Sequence, residues 1–134
     1  MSMLADTQIQ IKSLSSWFTD RLNKLKCSPE LKAYVCSVLA MPLVDSQATS
    51  QSIVLMYAGA VERLSFKRLQ ETGDTVVRHT TTFGDFTHRD TYLTVGRLSY
   101  AACHRLLGKK WALFEELADD LPRLCKEIHS IITV

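Results

Sequence analysis

Glycine is scarce in this chain, five residues in 134, and their spacing forms neither a phosphate-binding loop nor a dinucleotide-binding turn. Nucleotide-dependent enzymes of those two kinds are excluded. Also missing is any apolar run near the roughly 18 to 20 residues that cross a bilayer, because charge or proline interrupts each longer candidate. Charge of one sign is lacking too: 16 Lys and Arg face 14 Asp and Glu, a formal net charge of +2, and the basic residues are scattered. A dedicated nucleic-acid binder usually carries a denser basic patch. No serine stands in a nucleophile elbow, and no segment repeats or falls into low complexity.

What remains is a chain with 46% hydrophobic residues, sized for one domain over residues 1–134. Met1 to Asp20 mixes polar and apolar residues at helical spacing without a continuous apolar stretch, so no secretory signal is expected. Cys27, Cys36, Cys103 and Cys125 accordingly read as reduced thiols of a soluble, cytoplasmic protein. Neither membrane insertion nor a cofactor is expected.

Helical periodicity dominates. Ile11, Leu14, Phe18, Leu22 and Leu25 recur at steps of three and four, which predicts a first helix from about Leu4 to Lys26. Ser28, Pro29 and Glu30 supply a cap, a first-turn proline and a first-turn acid for a second helix, which Pro42 ends or kinks. Asp45 or Ser46 is expected to cap a third. Its face of Ile53, Tyr57, Ala60, Val61 and Leu64 runs to about Glu71, where Gly73 looks like a stop, and Gly59 could admit a close neighbour. Tyr92, Val95, Gly96, Ser99, Ala102 and Cys103 give a fourth helix whose small-residue stripe wants a tight partner, closed by Gly108. Phe114, Leu117, Leu121, Leu124, Ile128 and Ile131 define the last, with Pro122 implying a kink or a fresh start after Asp119. The fold class expected is all-α, a bundle of about five helices, at least about 60% helical.

Between the third and fourth helices, residues 74–90 read as a long loop or a small β-hairpin, because Thr75 to Phe83 is rich in β-branched residues and Gly84-Asp85 suits a turn. His88-Arg89-Asp90 opens the kinase catalytic-loop motif. That motif needs an asparagine five positions after the aspartate, where this chain has Val95. His79, Asp85, His88 and Asp90 offer metal donors at a spacing that fits no established signature, and Cys125 with His129 shares a helical face inside an apolar stripe, so no metal site is assigned. Asp90 is a candidate cap, Glu62 a candidate acid near an apolar face, and Cys103 beside His104 a weak nucleophile pair, since adjacent helical positions point apart. Phe83 and Phe86 flank the turn as two aromatics at a loop tip, suited either to a partner or to folding back over the bundle.

Gly73-Asp74, the stretch Tyr92-Leu93-Thr94-Val95-Gly96-Arg97-Leu98-Ser99-Tyr100-Ala101, and Phe114-Glu115-Glu116-Leu117-Ala118-Asp119 together resemble a set of uncharacterised bacterial helical proteins. In those proteins a glycine-aspartate pair precedes a tyrosine-rich helix with an internal glycine, then a phenylalanine-glutamate-leucine helix. The resemblance covers the C-terminal half and implies a helical fold in a bacterial or phage setting, with no activity and no functional residue. The functional expectation is a non-enzymatic assembly or adaptor protein, acting through contacts with itself or another protein as a small part of a bacterial or phage assembly. Its interface candidates are Phe83, Phe86, Arg78, Arg89, Trp17 and Trp111. The alternatives are nucleic-acid binding or regulation, through Lys24, Lys26, Lys32, Arg63, Lys67, Arg68, Lys109 and Lys110, and a small metal-dependent or cysteine enzyme using His79, His88 or Cys103.

Overall fold

The computed structural model describes residues 14–41, 50–107 and 112–133, all of its regular structure helical. Asp45, Ser46, Gly108, Lys109, Lys110 and Trp111 lie outside the described residues. Among the described residues, six α-helices replace the five expected: α1 over residues 14–21, α2 Pro29–Ala40, α3 Ser50–Glu62, α4 Phe66–Phe83, α5 Arg89–Leu106 and α6 Ala112–Ile132. A 3-10 turn at Leu22–Lys24 follows α1, and Leu25 is already extended, so the first helix stops short of Lys26. Among the described residues, no helix is long and apolar enough to cross a membrane.

The start of α2 follows its sequence signals. Ser28 is the N-cap and accepts the Leu31 amide hydrogen, and Pro29 takes the first helical position, where its missing N–H costs nothing. Met41, the residue before a proline, is extended.

The extra helix arises because the third predicted helix breaks at residues 63–65. Ser65 N–H reaches back to the Ala60 carbonyl and Leu64 N–H to Val61, the paired bonds of a Schellman stop, while Leu64 takes φ 49. Ser65 then caps α4 by accepting the Arg68 amide hydrogen. The apolar phase running through this point hid the break.

Residues 75–83 correct the expected hairpin, for they are the second half of α4. Leu69, Thr72, Gly73, Val76, Val77, Thr80 and Thr81 are buried at steps of three and four, a helical stripe in which threonine takes apolar positions. Each buried threonine donates its hydroxyl to a carbonyl four residues back: Thr72 to Arg68, Thr80 to Val76 and Thr81 to Val77. The polar atoms are satisfied inside the helix, so β-branching does not force a strand. Gly73, expected to stop a helix, sits mid-helix, and the real stop is Gly84 at φ 69. The connection to α5 shrinks to residues 84–88. His88 occupies the N-cap of α5 without a side-chain cap bond, and Asp90 falls in the first turn instead of capping.

Helices α4, α5 and α6 run up, down and up. Gly73 meets Tyr100 and Val76 meets Gly96 across the first pair; Leu121 meets Gly96 and Phe114 meets Tyr100 across the second. The small stripe of α5 finds its tight neighbours at Gly96, where a Cβ would lie 2.7 Å from Leu121 and 2.8 Å from Val76. Gly59 does the opposite of what was expected, with nothing within 4 Å of a Cβ built there.

Pro122 lies inside α6 without ending it. Proline has no N–H for the Ala118 carbonyl four residues back. Arg97 of α5 supplies the substitute, its Nε donating to that carbonyl at 3.1 Å. Helix α6 therefore continues as one element through its proline.

Two predictions come from this packing, a pair of opposed glycine substitutions and a double-mutant cycle. Gly73→Ala places a methyl 2.6 Å from a Tyr100 ring that is fully buried and anchored at its hydroxyl, and is expected to lower stability in urea denaturation by about 1–3 kcal/mol. Gly59→Ala, in open space in a helix interior, is expected to raise it by about 0.5–1 kcal/mol. The second prediction is a double-mutant cycle: Arg97→Ala is expected to cost about 1 kcal/mol in the native background and close to nothing beside Pro122→Ala, which returns an N–H to the Ala118 carbonyl.

Candidate functional site, an aspartate between two tyrosines

The most unusual polar cluster stands where α2, α4 and α5 meet. Asp74 Oδ1 accepts the hydroxyl of Tyr34 from α2 and the hydroxyl of Tyr100 from α5, each at 2.6 Å. Those lengths are typical of bonds to an ionised acceptor. Gln70, one turn before Asp74, donates to the Tyr34 oxygen at 3.0 Å. Phe114 of α6 packs its ring against Tyr34 at 5.9 Å, Phe66 at 5.5 Å and Tyr100 at 6.0 Å. Gly73 is required beside it because the Tyr100 ring lies directly on its Cα.

Burial pushes the Asp74 carboxyl above its usual value, against the two tyrosine bonds and the nearby Arg78, which pull it down. Burial and the Asp74 charge hold both tyrosines protonated, with their pKa values raised far above the phenol range. The cluster is thus a carboxylate that two permanent donors stabilise and its own desolvation penalises. Cys103, on the same side of α5, has its thiol pushed up to about 12, chiefly by burial and then by Asp74. It lies 3.9 Å from the Phe66 carbonyl and is inert as a nucleophile. His104 turns instead toward Glu115 at 3.5 Å, so the two neighbours do point apart.

Next to Tyr34 is a half-open cavity of about 670 Å³ between the first turns of α2 and α6, lined by Ser28, Glu30, Tyr34, Ala112, Leu113 and Glu116. Glu116 is fixed there by Ser28, whose hydroxyl donates to it at 2.6 Å and whose backbone N–H donates at 3.3 Å. No protein family, curated protein or solved structure matches the chain.

The residues singled out in the sequence scatter. His79 enters an aromatic cluster, stacked on Tyr92 at 4.6 Å with Phe83 and Phe86 each at 4.7 Å, and burial lowers its pKa. Phe86 is half-buried against the core, while Phe83, the last residue of α4, is 53% exposed, so the two phenylalanines do not form a loop tip. Arg78 is half-buried on α4 and reaches Thr75 at 3.5 Å; Arg89 is half-buried at the start of α5. Trp17 is exposed on α1, under the Arg21 guanidinium and edge-on to Phe18. Trp111 lies outside the described residues. Asp85, His88 and Asp90 are exposed, and so is Glu62, which removes it as a buried acid. Among the described residues, no three His, Cys, Asp or Glu side chains come close enough to hold a metal ion. Cys125 is buried with its thiol pushed up to about 11 by burial, and it packs as a small apolar residue. Arg63, Lys67 and Arg68 are exposed but split between the turn and α4.

Asp74 itself escaped notice as a functional residue. Its signal was the helical phase: Gln70, Asp74 and Arg78 lie at steps of four along α4, beside the buried stripe.

The raised acid gives a signed prediction. A carboxyl whose folded pKa exceeds its unfolded value contributes full stability below the unfolded value, 3.8, and loses it as pH rises through the folded one. Asp74→Asn keeps an acceptor for both hydroxyls and has no charge to desolvate. It is expected to be at least as stable as the native protein at pH 7, with its relative advantage growing as pH rises from below 4, whereas Tyr100→Phe is expected to cost about 1–3 kcal/mol. Denaturant unfolding of the variants across pH checks both signs.

Proposed function

We propose that the protein is a helical assembly module that works through protein–protein contacts, and that its partner is a second copy of the same chain. The observation that carries this reading is Leu64. It is 72% exposed and holds φ 49, a left-handed conformation that costs a branched residue roughly 1–2 kcal/mol. Glycine is the usual occupant of that helix-stop position. A large apolar side chain kept there, in water and under strain, points to a use for the side chain itself.

Leu64 ends an apolar surface. Val54, Leu55 and Val61 of α3 are 43%, 62% and 40% exposed, with Ala58 exposed between them, and they fall on one face at helical spacing. Helix α3 carries no charge before Glu62, so it cannot select a partner by opposite charge. An uncharged apolar face is complementary to itself, and a two-fold axis brings two such faces together with every contact made twice. Phe83 offers further exposed apolar area. The bacterial or phage setting belongs to this reading as the context in which such a module would be built into a larger body.

Light scattering on a sizing column over a concentration series tests it. The native chain is expected to shift from monomer to dimer as concentration rises. Leu64→Gly is expected to stay monomeric while its melting stability is unchanged or higher, by up to about 1 kcal/mol, because glycine relieves the strain. A native chain that remains monomeric throughout, or a Leu64→Gly variant that dimerises equally well, refutes the reading.

A further inference from the structure

Independently of assembly, we infer that the cavity between α2 and α6 is a binding site for a small organic cation with an apolar body, such as a protonated aralkyl amine. Its volume, about 670 Å³, lies within the range of small-ligand pockets. Its lining is chemically one-sided. Among the described residues that line it, Glu30 and Glu116 are acidic and none is cationic, while Ala112, Leu113 and the Tyr34 ring supply apolar wall.

Two of these groups are already held in place. Glu116 is fixed by both Ser28 donors, which leave each carboxylate oxygen with a further lone pair for an ammonium. Tyr34 cannot rotate its hydroxyl away, because Asp74 accepts from it and Gln70 donates to it. Donation to a carboxylate shifts electron density into the phenol ring and strengthens the attraction of its face for a cation. Asp74, at the Tyr34 hydroxyl, adds a third negative charge to the field near the cavity. A ligand that fits all of this places its positive nitrogen between Glu116 and the Tyr34 ring and its hydrocarbon against Leu113. An anion meets two carboxylates, and a neutral molecule gains only the apolar wall.

The probes are phenethylamine, which is protonated at neutral pH, its neutral counterpart 2-phenylethanol, and the anion 3-phenylpropionate, titrated into the full chain and followed by amide chemical shifts. Saturable shifts at Ser28, Leu113 and Glu116 are expected with the amine at millimolar or lower concentration, with the alcohol weaker by about tenfold or more and the anion without effect. Glu30→Gln, an exposed substitution, is expected to weaken the amine severalfold without altering helix content, and Glu30→Gln with Glu116→Gln to erase the preference for amine over alcohol. Leu113→Trp, which fills the cavity, is expected to abolish binding of both. No saturation with the amine, shifts centred elsewhere, equal binding of the alcohol, or an unchanged amine preference in the double glutamine variant each overturn the inference.

Discussion

The Asp74 carboxylate organises more of this molecule than any other single group. One oxygen receives hydroxyls from two different helices, so α2 and α5 are both referenced to one point on α4. The rings that carry those hydroxyls are then fixed in orientation, and Phe114 packs against both of them. The position of α6 therefore depends on the same carboxylate at one remove. Ionising an acid among aromatic rings is costly, and the cost is met by two short charge-assisted bonds. The arrangement trades stability for a defined geometry. That trade leaves Tyr34, its hydroxyl already committed, fixed at the wall of the α2–α6 cavity.

A second dependency runs from α6 to α5. A proline in the middle of a long helix would ordinarily strand a carbonyl, yet here the guanidinium of Arg97 closes the gap. The same helix pair packs at Gly96, where the absence of a side chain lets α4 and α6 approach α5 together. Close approach and the arginine bridge are therefore linked: if the helices stood farther apart, Nε could not reach the carbonyl.

Much of the architecture was legible in residue order. The helical class, the Ser28-Pro29 start of α2, the tight stripe of α5 and the continuous phase of α6 follow from capping chemistry and apolar spacing, which are local properties. The failures have equally local causes. Thr72, Thr80 and Thr81 look polar and β-branched, so the sequence suggests a helix end at about Glu71 and a long loop or small hairpin over residues 74–90; their hydroxyls in fact return to the helix backbone and present methyl groups to the core. The stop at residues 63–65 was invisible because leucine occupies a glycine position while the apolar period continues through it. The candidate site was the least legible part. Tyr34, Asp74 and Tyr100 are separated by 40 and 26 residues in pairs, and no local pattern announces that three such side chains share a proton-donating contact. Gly73-Asp74, Tyr100 and Phe114, noticed only as fragments of a resemblance, turn out to touch one another.

The far end of α4 carries a consequence for the order in which the molecule assembles. His129, near the end of α6, donates its Nδ1 hydrogen to the Thr81 carbonyl at 2.7 Å, and its ring covers Gly84 so closely that a Cβ there would have no room. Thr81 lies in the last turn of α4, where carbonyls lack partners within the helix. The partner arrives from 48 residues downstream. A nascent chain can pair α4 with α5 through their short link as soon as both have been synthesised. The last turn of α4 stays open to water until α6 is complete. Closure of that turn is thus a late event, and it reports that the whole three-helix stack has formed.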